Sequence, residues 1–244
     1  MKILCIGNSF SEDATRYLYG IARADGARLE IANLYIGGCS LERHAQNMSE
    51  DARAYELQYN GHKTGFPMSL KEALSNRAWD IVTMQQVSGL APRIESYLPY
   101  LDELADVIRA LAPSARIVMH QTWAYEAGSE RLLNIAHYAT PDAMLDDIKT
   151  AYAEAARRIG AVGIIPSGEM LSSLLKAGIP TVHRDTFHAS LGLGRYALGL
   201  LWYRTLCGAS VASNPFRDLD EVVSEDDLAI ARACAERFAP LALD

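Results

Sequence analysis

Short apolar runs alternate with longer segments of helical period along this chain. Residues 2–6 (KILCI), 80–84 (DIVTM), 115–120 (ARIVMH) and 161–165 (AVGII) are nearly continuous apolar runs, and residues 28–34 (RLEIANL) alternate apolar with polar. These five segments read as strands. Helices are predicted over 12–25, 95–111, 141–159, 191–206 and 225–238. In the second of these, Leu98, Leu101, Leu104, Ile108 and Leu111 recur at three- and four-residue steps. In the third, Met144, Ile148, Ala151, Ala155 and Ile159 share a face, Thr140 is placed to cap it, and Pro141 suits the first helical position.

Alternating strands and helices, with strands apolar on both sides, predict a parallel sheet covered on both faces. No repeat, low-complexity tract or Pro/Gly/Ser linker divides the 244 residues, so a single domain is expected. Ligands of such sheets sit at the carboxyl ends of the strands. That directs attention to the loops after Ile6, Leu34, Met84, His120 and Ile165. Two less regular stretches, 49–76 and 122–140, hold aromatic and histidine residues (Tyr59, His62, Trp123, Tyr125, His137, Tyr138). They read either as walls of a substrate cleft or as surface elaboration.

Half the residues are apolar and 22% are charged, which is ordinary globular composition. The formal net charge is −7 and no Lys/Arg run occurs, which argues against a nucleic-acid groove or an anionic-membrane patch. No apolar run approaches the ~18–20 residues of a membrane span. The first residues form a strand running straight into Gly7-Asn8-Ser9 rather than a cleavable leader, and a cytoplasmic protein is expected. The four cysteines (Cys5, Cys39, Cys207, Cys234) lie far apart without CxxC spacing, so free thiols are expected and neither a metal nor a cofactor is called for.

Gly7-Asn8-Ser9-Phe10-Ser11 follows the first strand and precedes a helix. A serine there stands at the carboxyl edge, before a helix N-terminus whose free N–H groups suit an oxyanion. The same loop would serve as a cap and tight turn, or as a phosphate cradle. It misses Gly-x-Ser-x-Gly at its last position, and the α/β-hydrolase elbow is rejected. Late in the chain, Asp185 and His188 stand three apart in His183-Arg184-Asp185-Thr186-Phe187-His188. One carboxylate can then hold the imidazole in the tautomer that accepts a serine proton, although a structural pair, or a metal site with His183, has the same spacing. Gly37-Gly38 after the second strand offers a backbone N–H or a positive-φ turn. Gln85-Gln86 after the third offers an oxyanion donor or solvated amides.

Together these four loops resemble the SGNH (GDSL-like) hydrolase superfamily, in particular its uncharacterised branch with a Gly-Asn-Ser-Phe-Ser first block. The resemblance runs from Gly7 to the helix after His188. It implies a three-layer α/β/α sandwich with a five-stranded parallel sheet, flavodoxin-like in shape. It also implies Ser9 as nucleophile, His188 as general base and acid, and Asp185 as its orienting carboxylate. The oxyanion donors it implies are the N–H groups of Ser9 and Gly38 and the amide of Gln85 or Gln86. Asn8 replaces the usual Asp of the first block, and Gln85-Gln86-Val87-Ser88 departs from the usual Gly-x-Asn-Asp of the third. The expected activity is hydrolysis of a small-molecule ester, foremost a carbohydrate O-acetyl ester, with His62, Trp123, Tyr125, His137 and Tyr138 as cleft candidates. The alternatives are acyl transfer by the same serine, or a flavodoxin-like binding module holding a phosphate or sugar.

Overall fold

Strand β1 (Lys2–Gly7) is the middle strand of a seven-stranded sheet. The structure is a computed structural model and describes residues 1–243. On one side of β1 lies β2 (Glu30–Tyr35), followed by the hairpin of β3 (Tyr55–Tyr59) and β4 (His62–Met68). On the other side lie β5 (Ile81–Met84), β6 (Arg116–His120) and β7 (Gly163–Ile165). The five strands read from sequence pair in parallel, and the hairpin adds two antiparallel strands at the β2 edge. The expected five-stranded parallel sheet is therefore corrected to a mixed sheet of seven. The hairpin escapes a search for apolar runs because β4 (HKTGFPM) is exposed along most of its length.

Alternate side chains of each strand enter opposite cores, as the two-residue pleat requires. Ile3 and Cys5 of β1 face one core while Leu4 and Ile6 face the other. In β6, Val118 faces the first and Ile117 and Met119 the second. The first core is covered by α1 (Ser9–Thr15), α2 (Leu18–Ala24), α7 (Ser167–Lys176), α8 (Leu193–Cys207) and α9 (Glu225–Glu236). The second is covered by α3 (Leu41–Ser49), α4 (Leu70–Ser75), α5 (Tyr100–Leu111) and α6 (Pro141–Arg158). Helix α8 is apolar on nearly every side and is buried from Tyr196 to Tyr203, enclosed by α1, α2, α7 and α9.

Two predicted helices are shorter or broken. The segment 12–25 is two helices meeting at Arg16-Tyr17, where the Gly61 tip of the hairpin closes on the Arg16 carbonyl, leaving no room for a Cβ. The segment 95–111 becomes regular only at Tyr100. Leu98 is extended ahead of Pro99, as residues before proline tend to be. Helices α3, α4 and α7 were not anticipated.

Candidate active site

Ser9 is the first residue of α1, directly beyond the carboxyl end of β1. Asn8 caps the helix, its Oδ1 accepting from Phe10 N–H at 3.0 Å. His188 and Asp185 lie on the loop between α7 and α8. Ser9 Oγ is 2.8 Å from His188 Nε2, and His188 Nδ1 is 2.7 Å from Asp185 Oδ2. The other carboxylate oxygen accepts His188 N–H at 2.9 Å. Partial burial pushes the Asp185 carboxyl up, but the two hydrogen bonds from His188 outweigh it and the pKa lies below its ordinary value. An ionised Asp185 holds the proton on Nδ1 and leaves Nε2 as the acceptor for Ser9.

Buried charge fixes these loops to one another. Asp13, one turn beyond Ser9 on α1, is fully buried. It accepts from Arg184 Nη1 at 2.9 and 3.0 Å, from Arg195 Nε at 2.8 Å and from Ala189 N–H at 3.1 Å. Arg195 also reaches Asp220, which pairs with Arg16 at the end of α1. Neither Asp13 nor the two arginines stood out in the sequence. The only available signal was the position of Arg184 beside Asp185.

The Ser9 and Gly38 turns are joined by buried amides. Ser9 N–H, in the first turn of α1, has no intrahelical acceptor. Gly38 takes a φ of +63° in an exposed turn, a conformation open to glycine. Asn8 Nδ2 donates to the Cys39 carbonyl at 2.9 Å and so ties the Gly38 turn to the Ser9 turn. Behind Asn8, Gln85 Nε2 donates to Asn8 Oδ1 at 2.7 Å, and Gln85 Oε1 is 2.7 Å from His120 Nδ1. Because Asn8 Oδ1 already accepts from Phe10, Gln85 must present its NH2 there and its oxygen to His120. Burial depresses His120 to about 3, so the ring is neutral with its proton on Nδ1.

The glutamines are thus placed differently from the expected donors. Gln86 gives its NH2 to the carbonyl and hydroxyl of Ser96, at 2.9 and 3.2 Å, and its oxygen accepts from Leu41 and Val87 N–H. Gln85 is a brace beneath Asn8. Asn8 itself, noted only as a departure, is the hub of the network.

The cleft candidates are not brought together. Trp123 is buried, stacked on Phe10 at 4.0 Å, with its indole N–H on the Phe187 carbonyl. Tyr125 is buried with its hydroxyl 3.0 Å from Ser88 Oγ. Both rings are largely covered, at 1% and 2% exposure, though each borders the cavity along residues 123–127. His62 lies beside Arg16 on the hairpin, Tyr138 donates to Asp147, and His137 is an exposed residue with a φ of +61°. A cavity of about 330 Å³ lies between the 123–127 loop, α7 and residues 180–183, and its lining includes none of Ser9, Asp185 or His188. His183 turns to the Ala124 carbonyl at 3.1 Å rather than joining Asp185 and His188. Among the described residues no group of three His, Cys, Asp or Glu side chains is arranged to hold a metal ion, and no helix is long and apolar enough to cross a membrane.

The fold is similar to that of solved proteins described as SGNH or GDSL-like hydrolases. It is shared with a proposed SGNH hydrolase from Slackia heliotrinireducens (24% identity, TM-score 0.56, over 78% of this chain and 90% of that one). It is also shared with a proposed GDSL-like lipase from Parabacteroides merdae (13% identity, TM-score 0.55, over 83% and 94%). The chain belongs to the family described as a domain of unknown function, DUF4886, which matches residues 2–237. A DUF4886 family protein from Bacteroides uniformis is 34% identical, with a TM-score of 0.88 over 97% of this chain and 93% of that one. None of the curated proteins matches the sequence.

Proposed function

We propose that the protein is a serine ester hydrolase working through Ser9, His188 and Asp185. The observation that carries this reading is the continuous hydrogen-bonded line from Ser9 Oγ to His188 to Asp185, at 2.8 and 2.7 Å. Such a line serves nucleophilic catalysis, because Nε2 can take the serine proton as Oγ attacks a carbonyl. His188 then returns that proton to the leaving alcohol, and a water activated by the same imidazole releases the acyl group. Ser9 N–H and Gly38 N–H are the proposed donors to the tetrahedral oxyanion. The resemblance favours carbohydrate O-acetyl esters as substrates. With Trp123 and Tyr125 buried, sugar recognition falls to other groups at the loop mouths.

The reading is tested with a fluorophosphonate probe on the wild type, Ser9→Ala and His188→Ala, the modified residue being read by mass spectrometry. Labelling of Ser9 that disappears in both variants supports it. An unlabelled, folded wild type overturns it.

A further inference from the structure

We infer that Arg131 is a specificity-determining residue of this site and that the ester it takes carries a carboxylate. The inference rests on Ser9 being the nucleophile, and it names the class of substrate. The Arg131 guanidinium lies 3.9 Å from the centre of the Phe187 ring and 5.6 Å from that of Tyr125. The Phe187 ring is in turn 3.8 Å from the imidazole of His188. The cation therefore stands one aromatic ring away from the group that activates Ser9.

Its surroundings leave that charge uncompensated. Arg131 takes part in none of the ion pairs of the described residues. Asp185 is held by His188 and Glu126 accepts from the Thr181 hydroxyl at 3.0 Å, while the adjoining Glu130 is exposed and makes no ion pair with Arg131. Arg131 is half-buried, its guanidinium carbon lies over the Phe187 ring, and the residue opens the wide turn Arg131–Ile135, in which Leu132 is buried. A guanidinium stacked by its face has its N–H donors at the edge, and that edge is shaped for the two oxygens of a carboxylate. In a chain of net charge −7, an arginine outside the ion pairs and one aromatic ring from His188 is a recognition group rather than part of a general basic surface. A single fork suits a monoanion.

Two isosteric probes test this: 3-acetoxybenzoate, which carries the carboxylate, and 3-acetoxybenzamide, which is neutral. The readout is the ratio of their kcat/KM values in the wild type, Arg131→Met and Arg131→Lys. A charge-assisted pair predicts a wild-type preference for the benzoate of about 10- to 100-fold. The ratio should collapse in Arg131→Met, which keeps the packing stem, and be kept in part by Arg131→Lys. An unchanged ratio in Arg131→Met overturns the inference while leaving the esterase reading intact. Binding of both probes to Ser9→Ala, with and without Arg131→Met, is measured calorimetrically. If the wild type hydrolyses neither probe, an Arg131-dependent preference for the benzoate in binding supports the anion site, and the esterase reading is decided separately by the fluorophosphonate labelling. Equal binding of both probes removes the anion site.

Discussion

Arg184 and Asp13 tie the loop that bears His188 to the helix that begins with Ser9. The guanidinium sits 2.9 and 3.0 Å from the two oxygens of a carboxylate that has no solvent contact. Arg184 adjoins Asp185, and Asp13 is one helical turn from Ser9. Ser9 and His188, 179 residues apart in sequence, are thereby located by a charge pair next to both. Asp13→Ala removes the carboxylate shared by two arginines, leaving Arg184 with the Ala189 carbonyl and Arg195 with Asp220, and should cost roughly 3 kcal/mol, as truncating one partner of a buried pair does. Urea unfolding measures the loss, and under the esterase reading kcat should fall more than KM rises.

Asp220 makes acid stability measurable at the same junction. Hydrogen bonding from Arg16 is the main reason its pKa is held down to about 2, against the opposing effect of burial. A depressed carboxyl stabilises the fold fully above the ordinary carboxylate range, and the contribution disappears as pH falls through about 2. Stability should therefore drop between about pH 4 and 2, and Asp220→Asn should flatten that drop by roughly 1–2 kcal/mol. Thermal melts across this range check the slope.

Gln85→Leu separates a brace from an oxyanion donor. It strands the His120 Nδ1 proton in the core and removes one donor to Asn8, so stability should fall by about 2 kcal/mol. Loss of an oxyanion donor costs ~10²–10³ in rate. A brace should cost less than about tenfold in kcat once the protein is held folded at low temperature. Ester turnover beside a denaturation curve distinguishes the two.

Gly7→Ala is expected to disturb the Ser9 turn from below. A Cβ at Gly7 would lie 2.3 Å from Ser11 Oγ and 3.1 Å from Gln85 Oε1. Ser11 Oγ is itself within hydrogen-bond distance of the Asn8 carbonyl and Asn33 Oδ1. The variant should lose ~1–3 kcal/mol, as overpacked cores do. A lowered melting temperature together with weaker labelling of Ser9 would show it.

The sequence disclosed what repeats and what is apolar. The five parallel strands are runs such as KILCI and DIVTM, and α6 has both its cap and its inner face. The meeting of Ser9 with Asp185 and His188 was legible from the short turn after β1 and from the three-residue spacing of Asp185 and His188 ahead of α8. The hairpin was not, since β4 is exposed along most of its length and has no apolar side to read. The roles of Gln85 and Gln86 were not legible either, because an amide's direction depends on partners such as His120 and Ser96 that no spacing rule connects. The aromatic residues of 122–140 misled for a related reason: Trp123 and Tyr125 satisfy their polar ends on Phe187 and Ser88 and so can be buried whole.

The hairpin that the apolar pattern missed also decides how the sheet ends. Without it, β2 would present open N–H and C=O groups to any passing strand. β4 stands there instead, and it is a poor template for addition. Pro67 lacks a donor, Lys63 puts a charge on the rim, Gly65 takes a φ of +74°, and the β3–β4 register shifts between Glu56 and Gln58. Charge, proline and bulge are the devices by which sheet proteins resist strand-to-strand aggregation. The least regular strand of the fold is thus the one least suited to pair with a strand of a neighbouring molecule at this edge.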